Sequence, residues 1–195
     1  MHNLIVGISG TGKSNLAKRI AQDFAARGNV VVYDPLESVG WPESALRFSS
    51  PQKFLDHVAH AEKAAVFVDE AKTLWDYDER AADLLLYRRR HQGLLVFLIA
   101  QRANMVRPNA RNQCSRLYAF RQSAKDAELL ANDFNDDVRV IASFERGEFL
   151  ATDGIALTRC TLDYSGGLPP RVLTGGANRE ITGSDASSNE SEAER

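Results

Sequence analysis

Three short stretches of this chain carry residue types that could handle a phosphate ester, and each stands where an apolar run ends. The first is Gly7-Ile8-Ser9-Gly10-Thr11-Gly12-Lys13-Ser14, which fits the spacing G-x-x-x-x-G-K-[ST]. Gly7, Gly10 and Gly12 let the backbone approach phosphate oxygens with no Cβ between, so successive N–H groups can form an anion nest. A helix that starts at the lysine adds its dipole to that nest. Lys13 would reach the β- and γ-phosphates, and the Ser14 hydroxyl would ligate Mg²⁺. Ser9, Thr11 and Asn15 complete the expected nucleotide-binding set, with ATP and Mg²⁺ as the implied cofactors.

The second stretch is Asp69-Glu70, which follows Ala64-Ala65-Val66-Phe67-Val68 and resembles a Walker B motif. Asp69 would hold the Mg²⁺ through water, while Glu70 would orient and deprotonate an attacking water. A kinase must keep water from the γ-phosphate, whereas a hydrolase needs a carboxylate to position it, so the second acid favours hydrolysis. The third is Gln101, at the exit of the run 94–100. Its neutral amide could hydrogen-bond both a γ-phosphate oxygen and the lytic water, which makes it a sensor candidate.

The elements that must position these residues follow from periodicity. Asn3-Leu4-Ile5-Val6 reads as a buried strand, and Leu16, Ala17, Ile20, Ala21 and Phe24 give the next helix an apolar stripe, with a stop at Gly28. Residues 30–35, an apolar run that ends in an Asp-Pro turn, and the continuously apolar 64–68 and 94–100 read as parallel strands covered on both faces. Between them, 52–63 and 71–91 read as helices, and 36–50 as a loop with a short strand near Arg47-Phe48. Residues 116–121 make a fifth strand and 126–134 a helix. A hairpin is expected from 138–144 and 148–152 around Glu145-Arg146-Gly147, with one more strand over 155–162. The pattern implies an α/β, three-layer P-loop fold with a mostly parallel central sheet and a C-terminal hairpin. Asp34 lies where a dinucleotide fold would hold a ribose, but Gly10-x-Gly12 continues to Asn15 instead of glycine, so that motif fails.

With 195 residues, 44% hydrophobic and 26% charged, the chain has the composition of one globular domain. The expected division is an ATPase domain over 1–167 and a disordered acidic tail over 168–195, where Gly, Ser, Asn and Glu dominate. The formal charge of −2 hides a segregation. Residues 80–121 hold nine arginines, no lysine and a single acid, Asp83, a net of +8 that leaves −10 for the remainder. Such a segment suits an anionic partner or an arginine-rich subunit interface. Cys114 and Cys160 sit in no metal or redox spacing, and His57 and His60 read as helix-surface residues. The first strand begins almost at once and the longest apolar run is far too short to span a bilayer. A cytoplasmic location, in a host cell or attached to a virion, is the expectation.

Several local features together resemble the FtsK–HerA superfamily of DNA-translocating ATPases. These are Val68-Asp69-Glu70-Ala71, the Arg90-His91-x-Gly93 turn, the strand ending Ala100-Gln101-Arg102, Pro108 with its downstream arginines, the stretch from Ser115-Arg116-Leu117 to Ser123, and Arg146-Gly147-Glu148-Phe149-Leu150. A bare core of this length is most similar to the genome-packaging ATPases of membrane-containing icosahedral viruses. That resemblance implies double-stranded DNA as partner and a homo-oligomeric ring, usually a hexamer, with ATP at subunit interfaces and a capsid or membrane vertex protein as a further contact. It also implies an arginine acting on a neighbour's site. Arg111 and Arg116 are the candidates, with Arg107 and Arg121 not separated from them, while Arg88, Arg89 and Arg90 would serve DNA phosphates. The filamentous-phage assembly ATPases with zonula-occludens-toxin-like sequences share the Arg-His-x-Gly turn and are the alternative. A small-molecule kinase is a further one, but gives Glu70 no task.

Overall fold

The computed structural model describes residues 2–87, 92–165, 167 and 170–174. Their core is a nine-stranded sheet in the order β3-β2-β4-β5-β1-β6-β7-β8-β9. The strands are β1 (His2–Val6), β2 (Asn29–Tyr33), β3 (Leu46–Phe48), β4 (Ala64–Val68), β5 (Leu95–Ala100), β6 (Cys114–Phe120), β7 (Glu148–Thr152), β8 (Leu157–Asp163) and β9 (Arg171–Thr174). The first six run parallel, and β7, β8 and β9 add antiparallel at the β6 edge.

Alternation along the parallel strands builds two cores, one per face. Ile5, Val30, Val32, Phe67, Phe97 and Ile99 face α1 (Lys13–Ala25), where Phe67 and Phe97 stack at 4.5 Å between centroids. Leu4, Val6, Val31, Val66, Val68 and Leu98 point the other way, towards α2 (Pro51–Val58), α3 (Ala71–Tyr77), α4 (Glu79–Tyr87), α5 (Pro108–Asn112) and α6 (Ala124–Asp133). The central strands are buried on both faces because helices cover both, which is why they read as unbroken apolar runs. By contrast β8 alternates, with Cys160 and Leu162 buried and Leu157, Arg159 and Thr161 exposed, as one-sided antiparallel strands do.

Three expectations need correction. The helix expected over 71–91 breaks at Asp78, whose backbone is extended and whose carboxylate accepts Ala81 N–H at 2.9 Å. That cap restarts the chain as α4 with Ala82, Leu85 and Leu86 turned into the core. The basic cluster 88–91 lies outside the described residues. Residues 138–144 are not a strand: Asp136–Ser143 is a 3₁₀ segment, with Val138 and Ile141 buried at a spacing of three while Val140 is exposed. Side chains three apart eclipse in a 3₁₀ helix, which explains the pattern. The hairpin is therefore β7–β8, around the Asp153-Gly154 turn. Finally, the ordered chain passes the boundary expected at 167, because Arg171–Thr174 pairs with β8 and buries Val172. Residues 175–195 lie outside the described residues. Among those described, no helix is long and apolar enough to cross a membrane.

Candidate nucleotide site at the strand ends

The phosphate-type loop leaves β1 and is tied to both neighbours of that strand. Gly7 N–H donates to the Ala100 carbonyl of β5 at 3.2 Å, and Ile8 N–H to the Arg121 carbonyl beyond β6 at 3.1 Å. Inside the loop Thr11 returns both its N–H and its hydroxyl to the Ile8 carbonyl, and Gly12 stands as α1 begins. Gly12 has φ 113°, and a Cβ there would meet Leu162 Cδ1 at 2.7 Å, so position and packing both demand glycine. Lys13 is drawn into the loop at 8% exposure. Ser14 and Asn15 form the first turn of α1, while Ser9 and Gly10 lie at the exposed crest.

Asp69 and Glu70 emerge from β4, one strand beyond β5. Asp69 is 6% exposed, and its Oδ1 accepts the Glu70 N–H at 3.0 Å. Burial, with help from the nearby charges of Glu70 and Asp34, pushes this carboxyl up to about 6 against the pull of the backbone hydrogen bond and Lys13. Glu70 has φ 51° and ψ 53°, left-handed backbone for a residue with a Cβ. That costs on the order of 1–2 kcal/mol, in a backbone state shared among non-glycine residues with Glu37 and Lys63. It is held by Thr73, whose N–H and hydroxyl both donate to the Glu70 carbonyl.

Gln101, at the end of β5, donates from Nε2 to Glu70 Oε1 at 3.0 Å, and its own carbonyl accepts Gln122 Nε2. Loop, two acids and amide thus meet at the carboxyl ends of β1, β5 and β4, the crevice where ligands of open α/β sheets bind. Tertiary folding also brings Lys18 near Asp69 and Asp34, where burial lowers its pKa and both acids oppose that shift. No spacing rule would have found Lys18, Gln122 or the C-terminal Tyr164, whose hydroxyl accepts from Asn15 Nδ2 at 3.1 Å.

The two arginines expected to serve a neighbour have different surroundings. Arg111 is 5% exposed: its Nε donates to Asp133 at 2.5 Å and its Nη1 to the Val106 carbonyl at 2.6 Å. It pins α5 to α6 within its own subunit, and so is withdrawn as a candidate finger. Arg116 opposes Asn3 in the β1–β6 register, at the amino end of the parallel strands and so about 13 Å along β6 from Phe120. It bonds to Tyr118. Arg107 pairs with Glu79 on the surface, and exposed Arg121 sits beside its own loop.

No family model matches the chain, and no curated protein matches it by sequence. Solved structures do match by shape. B204, the DNA-packaging ATPase from Sulfolobus turreted icosahedral virus, superposes with a TM-score of 0.65 at 15% identity over 81% of this chain and 95% of its own. The genome packaging NTPase B204 from Sulfolobus turreted icosahedral virus 2, in complex with AMPPCP, gives 0.67 at 18% identity over 82% and 95%. The pCW3 conjugation coupling protein TcpA, with ATPγS, gives 0.65 at 15% over 81% of this chain and 58% of that one. The chain therefore shares the fold of these solved ATPases, with its loop, paired acids and amide at three adjacent strand ends.

Proposed function

We propose that the chain is an ATP-hydrolysing motor that moves double-stranded DNA, in the setting of viral genome packaging, as a homo-oligomeric ring. The observation that carries this reading is the Glu70–Gln101 contact at the strand ends beside the Gly7–Ser14 loop. A carboxylate held at a strained backbone position and braced by an amide is suited to positioning water, which a kinase has no use for. The likeness in fold to packaging NTPases that cover nearly the same length supports the assignment.

The residues divide the work as follows. Backbone N–H groups from Ser9, Gly10, Gly12 and Asn15 cradle phosphate oxygens, Gly7 and Thr11 shape the loop through their own backbone bonds, and Lys13 balances charge towards the γ-phosphate. Glu70 takes the proton of the attacking water, and Gln101 aligns that water with the γ-phosphate. The hydroxyl of Ser14 and the carboxylate of Asp69 suit a hard divalent cation, since among the described residues the buried Asp69 makes no salt bridge, has Lys13 and Lys18 only nearby, and accepts a single backbone N–H. Bound there, Mg²⁺ would neutralise charge on the β- and γ-oxygens. Arg116 is the remaining member of the pair expected to act in trans, and the arginine-rich segment 80–121 supplies cations for DNA phosphates. A capsid or membrane vertex protein is the partner such a motor would dock on.

The test is ATP turnover with and without long double-stranded DNA, measured alongside oligomeric state. Stimulation by DNA and retention on DNA at low salt are expected. Glu70→Gln should lower turnover by about a hundredfold or more while ATP still binds. Turnover indifferent to DNA, with no retention at low salt, would sink the motor and leave only an ATPase. Mixing Arg116→Ala with Glu70→Gln subunits should restore part of the turnover if Arg116 acts across the interface.

A further inference from the structure

The antiparallel extension β7–β9 packs directly on the loop at 7–14. Gly147 N–H donates to the Thr11 carbonyl at 3.0 Å, and Leu162 N–H to the Gly147 carbonyl at 2.9 Å, so hairpin and loop share one hydrogen-bond chain. Leu162 presses its side chain against Gly12, and two residues on, the Tyr164 hydroxyl stands 3.2 Å from where a Gly12 Cβ would lie. The same hydroxyl accepts from Asn15 Nδ2 at 3.1 Å. One end of the tyrosine is thus fixed between the last residue of the loop turn and the first turn of α1. The residue is 38% exposed.

A triphosphate in this loop has a defined direction. Lys13 reaches the β- and γ-phosphates, while backbone N–H groups at the helix start take the α- and β-phosphates. The nucleoside must then leave the loop beside the first turn of α1, where Ser14 and Asn15 stand and where Asn15 holds Tyr164. We propose that Tyr164 is the platform on which the nucleobase of the bound nucleotide stacks. This rests on the triphosphate reading of the loop given above. Two features make the ring suitable: its hydroxyl is bonded to Asn15, and the residue directly follows β8, which is tied to the loop through Gly147. Platform and phosphate nest are therefore held in fixed relation before the ligand arrives, which lowers the ordering cost of binding. Every base presents a π-face, so the ring contributes affinity with little choice among bases.

The experiment titrates the full chain with Mg²⁺-AMPPCP and, separately, with inorganic tripolyphosphate, which fills the loop but has no base. Tyr164→Ala should weaken AMPPCP binding about tenfold, within the range of base–aromatic stacking, and leave tripolyphosphate within about twofold. Tyr164→Phe, which keeps the ring, should recover most of the AMPPCP affinity. Equal losses for both ligands in Tyr164→Ala would mean that the tyrosine only props up the loop, and would overturn the proposal. Unchanged AMPPCP binding would overturn it too. A wild-type chain that takes up neither ligand would instead strike the triphosphate reading on which the proposal stands.

Discussion

Two aspartates close two neighbouring strands of the sheet, and they meet opposite fates. Asp34 follows β2 and Asp69 follows β4; the strands are paired, and Asp69 N–H even donates to the Tyr33 carbonyl. Both carboxylates are buried, at 2% and 6% exposure. Asp34 is surrounded by donors: Leu36 N–H, the N–H and hydroxyl of Ser38, Trp41 Nε1 and, at 3.5 Å, Arg47. Asp69 receives one backbone N–H and is pushed up to about 6. A buried carboxylate whose lone pairs are all used is a structural tie, and here it folds the 34–41 loop under Trp41. A buried carboxylate kept short of donors is poised for something the polypeptide does not itself supply. Next to a loop of this kind, a divalent cation fits.

Removing Asp34 should have the largest effect on stability. Asp34→Ala leaves the buried Trp41 Nε1 and the Leu36 and Ser38 N–H groups without their acceptor, and is expected to cost about 3 kcal/mol by denaturant unfolding. A loss below about 1 kcal/mol would erase the contrast with Asp69.

The pH dependence of stability comes next. In the unfolded chain Asp69 titrates near 3.8 and in the folded protein near 6. Between those values the folded protein keeps a proton that the unfolded chain has released, so the Asp69 contribution to stability falls as pH rises from 4 to 6. The total is about 3 kcal/mol at most. Thermal melts without divalent cation should show this downward trend once Asp69→Asn, which lacks it, is subtracted. Mg²⁺ should bind more tightly above pH 6, because protons then cease to compete.

Smaller in size but opposite in sign is Asp69→Asn itself. It removes a buried charge and should stabilise the chain by about 1–2 kcal/mol at pH 8 while abolishing Mg²⁺-dependent turnover. Smallest is Glu70→Gly, which relieves the positive φ and should raise stability by about 0.5 kcal/mol at the cost of turnover. If Glu70→Gly lowered stability clearly, the strain at Glu70 would not be held for function.

Much of the parallel half was legible because its signals are local. Strands buried on both faces are apolar throughout, and the loop and paired acids stand at their ends, so 3–6, 64–70 and 94–101 could be read without the fold. The antiparallel side was harder. Val138 and Val140 imitate strand alternation, and only packing shows that Val138 and Ile141 form the buried pair of a 3₁₀ segment. The break at Asp78 follows the same logic, since a cap competes with a continuous helix and the core decides between them.

The sequence alone placed the glycine turn, the lysine, the hydroxyl and the two acids at strand ends, because the backbone geometry of a glycine turn and the end of an apolar strand depend on adjacent residues. It could not tell Arg111 from Arg116, because both follow the Gln101 strand and only their surroundings differ. Only the tertiary structure buried Arg111 against Asp133, gave Asp34 its five donors, set Gln101 on Glu70 and brought Tyr164 across to Asn15. The reason is physical: burial, hydrogen-bond satisfaction and pKa are set by neighbours in space, and those neighbours come from strands far apart in the chain.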